Sequence, residues 1–465
     1  KVVFRDSCSM IPNKLSELPK MFFDEEQQKS IFKEIFPYDY YTKTRYIDNR
    51  GSVDESLKVI QKDAQKVGKT VSRQEFVEAL QRADCLIDDN TFDMQKYSDY
   101  YCKQDVYVLM KSLKKFQQLL WEGFQMNMVD IISVSSLSLR YQIKRECFKD
   151  CVKVNGQLQR YFQQFVRGGR VQTRNNKKLK RYNCKIQDFD AVSLYPSAQK
   201  RVWYPCGLCK KMDGEMIGFY NKQENLLAIG ETKDSNDQNT LYMTVKLDSS
   251  KIVPRGFNIL SEKRDGIRTW INETDPNRLH YMSHIQLQDL VRFQGYKYEI
   301  IEGMYFTERI YTIQKVIAEM FEQRVHYKEL GNPIQNIIKL MLNSSYGKTC
   351  EGLHNTKTLV KGIEEAFEYM FRNFNNLKEA KRFGDKYVIT ENVEVIDQSS
   401  YNYIGVLILD MSKRIMNEVM CLAEDLGIDI YYTDTDSMHI DMTRLDELQK
   451  AFQGKYDRDL IGKKM

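Results

Sequence analysis

No uninterrupted apolar run of about eighteen residues occurs in the 465-residue chain, so the sequence predicts no membrane-spanning helix. It shows no secretory signal peptide and no internal repeat. Its ten cysteines are scattered singly, which suits a reducing compartment and argues against a disulfide framework. The one close pair, Cys206 and Cys209 in PCGLC, has no second ligand pair nearby, so a buried loop is expected there and not a zinc site. Charge of one sign is scarce as well. Seventy basic residues against 64 acidic ones give +6, which is compatible with a polyanionic partner without demanding one. The basic runs RNNKKLKR (174–181) and LKEAKRFGDK (377–386) read as solvated faces or as phosphate tracks. What is present is globular: 42% hydrophobic and 29% charged residues, in a chain long enough for two or more domains. Because the sequence opens at Lys1 instead of Met, an upstream portion is expected.

Hydrophobic periodicity organises the chain. The stretch 99–121 places apolar residues at 106, 109, 110, 113, 116, 119 and 120, a helical stripe. KIQDFDAVSLYPSAQ (185–199) reads as a largely buried strand turning into a helix, with Pro196 in the first helical turn. Residues 200–300 give few clear signals beyond mixed strands and loops. A helix running through EMFEQRVHYKEL is stopped by Gly331, and Asn332 and Pro333 open a second, IQNIIKLMLNSSYGK, to make an antiparallel helical hairpin. A charged segment with strand-like pieces follows over 351–398. Then a helix at 404–427, apolar at 408, 411, 415, 419, 422 and 426, ends at Gly427 before a β-hairpin carries YYTDTDS at its tip.

That tip poses an electrostatic problem. Asp434 and Asp436 are two apart and can point the same way, so they repel unless a cation lies between them. A solvated turn is one reading, since Asp is common in turns. However, Ile428, Ile430, Tyr432, Met438 and Ile440 mount the tip on a buried scaffold, and Asp190 ends another strand just before a turn. Carboxylates gathered from strand ends are what Mg²⁺ uses, together with substrate phosphates, and two such ions can clamp both oxygens of a phosphoryl transfer. Lys339, Asn343, Tyr346 and Gly347 fall on one helical row, suited to a phosphate, a polar edge and a stacked base; an ordinary amphipathic helix is the alternative. Arg324 and Lys328, at i and i+4, either join Lys339 on one polyphosphate or form an exposed charged face.

Together these motifs resemble family B DNA polymerases. DAVSLYPS (190–197) is similar to motif A, KLMLNSSYG (339–347) to motif B and YTDTDS (432–437) to motif C. The resemblance implies an α+β multidomain fold, with a right-hand palm of antiparallel sheet plus helices and helical fingers. Part of an RNase H-like 3′–5′ exonuclease domain would precede them. It implies Asp190 and Asp436 as the main ligands of two Mg²⁺ (Mn²⁺ as a substitute), with Asp434 beside them, and Tyr195 under the sugar as a gate against a ribose 2′-hydroxyl. Ser193, Leu194, Asn343 and Tyr346 would line the nucleotide site, and Lys339, Arg324 and Lys328 would bind the triphosphate. YCKQD (101–105) is similar to the third exonuclease motif, with Asp105 a metal ligand and Tyr101 a positioner of water; its bland reading is a helix with one surface acid. VVFRDSCSMIPNKLSELPKMF (2–22) resembles the segment before that motif, with Ser7 at a single-stranded end. VRGGR (166–170) resembles the element linking exonuclease and palm, where Gly168, Gly169 and Arg170 meet template phosphates, although Val166 replaces the usual tyrosine; an ordinary glycine turn is the alternative.

The implied domains are 1–120, the back of the exonuclease domain; 121–180, linker and start of palm; 181–209, palm with motif A; 210–305, a first palm insertion; 306–350, fingers; 351–398, a second insertion; and 399–465, palm with motif C. The earlier exonuclease motifs are expected upstream of Lys1 and the thumb downstream, so this stretch alone should not proofread. The 91 residues from Asn343 to Asp434 leave an excess resembling the second insertion of protein-primed polymerases of phages, adenoviruses, linear plasmids and self-synthesising transposons. The implied partners are template-primer DNA, deoxynucleoside triphosphates and a terminal protein primer. The implied place is intracellular, at replicating DNA, without a membrane. An RNA- or DNA-primed viral replicase is the alternative within the family, and a degenerate DNA-binding subunit the alternative from another class. A reverse transcriptase or RNA polymerase usually has two adjacent aspartates, whereas Thr435 intervenes here.

Overall fold

A computed structural model describes residues 6–461 except 44–48, 67, 69, 179–184, 265–266, 353–355 and 394–398. Part of RNNKKLKR, residues 2–5 of the stretch before the exonuclease-like motif, and both margins of the 351–398 insertion lie outside the described residues. The chain divides into two compact units, residues 1–137 with 321–340, and residues 138–320 with 341–465. Among the described residues no helix is long and apolar enough to cross a membrane.

The first unit is built on the helix Met94–Phe124, opened by Asp93, whose carboxylate accepts the Lys96 N–H at 2.9 Å. A three-stranded antiparallel sheet, Arg50–Ser52, Thr91–Asp93 and Leu86–Asp88, sits over a core that includes Phe76, Leu80, Phe92, Met94 and Tyr97. Gly51 is required there, because a Cβ would meet the Phe92 ring at 2.5 Å. The buried face of the long helix runs through Tyr97, Tyr101, Val108, Ser112, Phe116 and Leu119. The expected stripe was rotated: Val106 and Met110 are exposed, because Ser112, a polar residue, holds a core position.

The second unit has two four-stranded antiparallel sheets. One orders Val171–Thr173, Ile430–Asp434, Ser437–Asp441 and Ile186–Asp190; the other orders His280–Ser283, Thr240–Asp248, Lys297–Phe306 and Lys210–Lys211. Residues 356–392 form a separate three-stranded sheet with the helix Ile363–Arg372. The helix Asn402–Asp425 runs through the centre, buried on all sides over nearly its whole length and not along one stripe. It can be buried because its polar groups have partners. Arg414 binds Asp289 at 2.7 Å, Glu231 at 2.8 Å and the Ile285 carbonyl at 2.6 Å. Asp410 accepts from Ser283 at 2.7 Å and Lys413 at 3.0 Å, and Glu418 pairs with Arg201 at 3.0 Å. Pairing of this kind offsets the cost of taking these charges out of water.

Candidate active site

The hairpin forms as its sequence suggests. Ile430–Asp434 pairs with Ser437–Asp441, and Ile428, Ile430, Met438 and Ile440 are buried against Met416, Val419 and Phe452. Asp434 and Asp190 both register with Ser437, so one row across three adjacent strands carries both carboxylates. The strand Ile186–Asp190 is an exposed edge, not the largely buried strand expected, and Asp190 itself is exposed. Edge position explains this, since only Ser437–Asp441 pairs with it. The Ala191 N–H donates to the Asp436 carbonyl at 2.7 Å, which ties the two carboxylate-bearing segments through backbone.

The turn itself is tight. The Asp436 N–H reaches the Asp434 carbonyl at 2.6 Å with Thr435 between them at φ +57°, a rare and strained three-residue turn for a β-branched residue. Partial burial, and then the charges of Asp190 and Asp434, push the Asp436 carboxyl above its ordinary range. None of the three carboxylates has a salt-bridge partner among the described residues. Neither do three or more His, Cys, Asp or Glu side chains there gather into a set that could hold a metal alone. Mg²⁺ needs only one or two carboxylates when substrate phosphates complete its shell, and an all-oxygen group of mutually repelling carboxylates fits that demand.

Beside this row, Tyr195 stacks on Tyr346 with ring centroids 3.9 Å apart and planes at 23°. Burial and the nearby Asp436 charge raise the Tyr195 phenol, and burial with Tyr195 as neighbour raises Tyr346. A closed ring of buried hydrogen bonds, unforeseen from sequence, sets this stack. Gln142 donates to the Ser345 carbonyl at 2.9 Å, and the Ser345 hydroxyl donates to Gln199. Gln199 in turn donates to the Tyr204 hydroxyl at 2.9 Å, which donates back to Gln142 at 3.2 Å. Gln199 shares the helix Leu194–Gln199 with Tyr195, and Ser345 precedes Tyr346. No local signal could reveal a pair 203 residues apart.

Several expectations are corrected. The helix Ile334–Asn343 ends at Asn343, so Lys339 and Asn343 share a row but Tyr346 and Gly347 do not continue it. Ser345 directs its hydroxyl to Gln199, and serine commonly leaves a helix for such bonds. Leu194 is buried among Met416 and Met420, so its side chain cannot line a nucleotide. Arg170 does not face solvent phosphates: its guanidinium is buried 5.0 Å over Trp270, bonded to Asn417, and burial lowers it to about 10. Ser193 starts its helix at φ +49°, and Gly168 is exposed with nothing within 4 Å of a built Cβ. Cys206 is buried as expected, but it ends the short strand Tyr204–Cys206, paired with Glu308–Ile310, and does not lie in a loop.

Lys339 and Lys328 are exposed and Arg324 is half-buried; none pairs with a carboxylate among the described residues. In the first unit, Tyr101 is buried, with its hydroxyl bonded to that of Tyr38. Burial first, then the Tyr38 bond and Asp105, raise its phenol. Asp105 is half-buried and pairs with Lys33 at 3.1 Å, a partner sequence reasoning missed, while its second carboxylate oxygen is buried without a partner among the described residues. Ser7 opens the short helix Ser7–Met10, half-buried.

A family model described as DNA polymerase type B, organellar and viral, matches residues 1–420. The chain belongs to this family. The match ends before Asp434, so the hairpin stands on its own geometry. Two proteins named "Probable DNA polymerase" are similar: one from Podospora anserina is 22% identical over 487 residues, covering 98% of this chain and 36% of that protein. The other, from Neurospora intermedia, is 22% identical over 355 residues, covering 74% and 33%. The chain thus spans about a third of the length of the curated relatives it matches. Among solved structures, Phi29 DNA polymerase in an orthorhombic crystal form matches with a TM-score of 0.58 at 17% identity, over 96% of this chain and 62% of that one. The same polymerase complexed with primer-template DNA and incoming nucleotide substrates matches with a TM-score of 0.52 at 18% identity, over 94% and 61%. These likenesses establish a shared α+β multidomain fold for this type B polymerase chain.

Proposed function

We propose that this chain carries the nucleotidyl-transfer centre of a DNA-templated DNA polymerase that adds deoxynucleotides to a primer end. The observation that carries it is the row of Asp190 and Asp434 across adjacent strands, with Asp436 tied to Ala191 and the Tyr195–Tyr346 stack alongside. Family membership supports the reading, as does the likeness to a polymerase solved with primer-template and nucleotides.

Asp190 and Asp436, with Asp434 beside them, would hold two Mg²⁺. When bound, these ions supply activation of the attacking hydroxyl and neutralisation of charge on the departing pyrophosphate. The chain's own groups do the rest. The Tyr195 ring, fixed by Tyr346, would close the sugar face against a 2′-hydroxyl. Lys339, with Arg324 and Lys328, would take the triphosphate; their lack of carboxylate partners leaves them available to a polyanion. Asn343 and Ser193 would border the nucleotide, and the exposed Gly168 the template. In the complete protein, Tyr101 and Asp105, with Lys33, would serve a proofreading site, and Ser7 a single-stranded end. The attacking hydroxyl would belong to a primer or to a terminal protein, because residues 351–398 resemble an insertion of protein-primed polymerases. The work would take place inside a cell, at replicating viral or mobile-element DNA.

The test is incorporation by the complete protein. Asp190→Ala and Asp436→Ala should each lower it at least about 100-fold, the scale of losing one group that stabilises transition-state charge, with melting temperature held. Near-parental extension by either variant would end the assignment.

A further inference from the structure

The segment preceding the strand Val171–Thr173 is anchored to the central helix. Lys413 donates to the Arg167 carbonyl at 3.1 Å, and Arg170 is buried with its guanidinium on Asn417, 5.0 Å over Trp270 and 3.2 Å from the Met420 sulfur. Both anchors, Lys413 and Asn417, lie on the central helix Asn402–Asp425. From this base the chain meets the DTD turn twice. The Arg170 carbonyl accepts the Thr435 N–H at 2.6 Å. At Gly169, a Cβ would lie 2.6 Å from both Thr435 Cγ2 and Oγ1, and 3.0 Å from its Cβ. Real Cβ atoms do not approach that closely, so Gly169 is the space into which Thr435 fits. Thr435 needs such confinement. Its φ of +57° is one that β-branched residues avoid, and strained residues persist only where their surroundings over-determine them.

We propose that Gly169 and the Arg170 carbonyl form a seat that holds Thr435 in its left-handed conformation and so sets the positions of Asp434 and Asp436. The two glycines of VRGGR then differ in kind. Gly168 is exposed and has room for a Cβ, whereas Gly169 is a positioning residue for the carboxylate turn. The inference rests on the assignment of those carboxylates to nucleotidyl transfer, and its test separates the two ideas.

Gly169→Ala, Thr435→Gly and the double variant would be compared in the complete protein. Relieving the Gly169→Ala contact means moving the turn by about 1 Å, a displacement that can cost about 100-fold in rate. The expected result is a kcat loss near that size, with the Kd for template-primer within about twofold of the parent. Thr435→Gly removes the atoms the new methyl meets, and glycine adopts that φ freely. The double variant should therefore match Thr435→Gly alone in kcat and in melting temperature. Three outcomes overturn the proposal: parental kcat in Gly169→Ala, a loss confined to DNA affinity, or a double variant worse than Thr435→Gly in both readouts. If Gly169→Ala does not fold, the double variant must, and its failure to do so is equally fatal. Asp436→Ala is run alongside. Normal extension by it refutes the carboxylate assignment, whereas its inactivity beside an unaffected Gly169→Ala refutes the seat.

Discussion

Replacing Gln142 by leucine tests how the tyrosine stack is positioned. Gln142 is almost wholly buried and makes two bonds of the closed ring, donating to the Ser345 carbonyl and accepting from the Tyr204 hydroxyl. Leucine is of similar size, so the change removes polarity more than volume. It strands the Ser345 carbonyl and the Tyr204 proton in a dry interior, and each orphaned partner costs about 1–3 kcal/mol. Dropping the glutamine's own desolvation offsets part of this, leaving a net loss of about 2–4 kcal/mol. For a unit of this size that is on the order of 5–10 °C in melting temperature. The functional effect should be selective. Freed from Gln142, Ser345 and Gln199 fix Tyr346 and Tyr195 less firmly, so ribonucleotide rejection should weaken while deoxynucleotide incorporation changes less. The assays are thermal melting and the ratio of kcat/KM for deoxy- against ribonucleotides, with Gln199→Leu as second arm. The two substitutions share partners, so their effects should fall short of additive by about 0.5–3 kcal/mol. Melting within 1 °C of the parent, or strict additivity, would refute the ring as a unit.

Two other perturbations probe the scaffold. Arg414→Met removes the cation paired with buried Asp289 and one of two cations on half-buried Glu231 and should cost about 3–5 kcal/mol, read as a fall in melting temperature; no measurable fall would mean the network is not holding the central helix. Deleting 351–398 removes a sheet and helix that pair with neither four-stranded sheet. Short primer extension should survive the deletion, while processive synthesis and terminal-protein labelling drop; persistence of both would remove the support for protein priming.

Where a fold signal was short-range, the sequence displayed it. The hairpin around Asp434 and Asp436 and the strand-turn-helix after Asp190 follow from strand formers, turn residues and a proline within a few positions. The sheet across 200–300 did not show itself, because Thr240–Asp248 is buried on both faces and so lacks the alternation that marks a strand. The helix His284–Gln294 was hidden for a related reason. It buries Gln288 and Asp289, which look like surface residues until Arg414 and Asn417 arrive from over 120 positions away. The same applies at the site: Asp190, Asp434, Asp436 and Tyr195 were legible as motifs, but Gln142, Gln199 and Ser345 act through contacts that no local pattern encodes.

The second unit keeps two populations of carboxylate, and their treatment differs. Asp289, Asp410 and Glu418 are buried, and each is held by arginine, lysine or a neutral donor. Those partners make them part of the fold and close them to any ligand. At the DTD turn the arrangement is reversed. The backbone is pinned by the Arg170 carbonyl and the Ala191 N–H, while Asp436 faces the charges of Asp190 and Asp434 and its carboxyl is pushed upward. Among the described residues, the Asp434 oxygens receive only long bonds, 3.3 and 3.4 Å, from Thr435 and Tyr432. A domain that neutralises its carboxylates so thoroughly a few residues away has the means to do so here. Fixed main chain with unneutralised oxygens is the arrangement expected of a site whose counter-charge must arrive with substrate and leave with product.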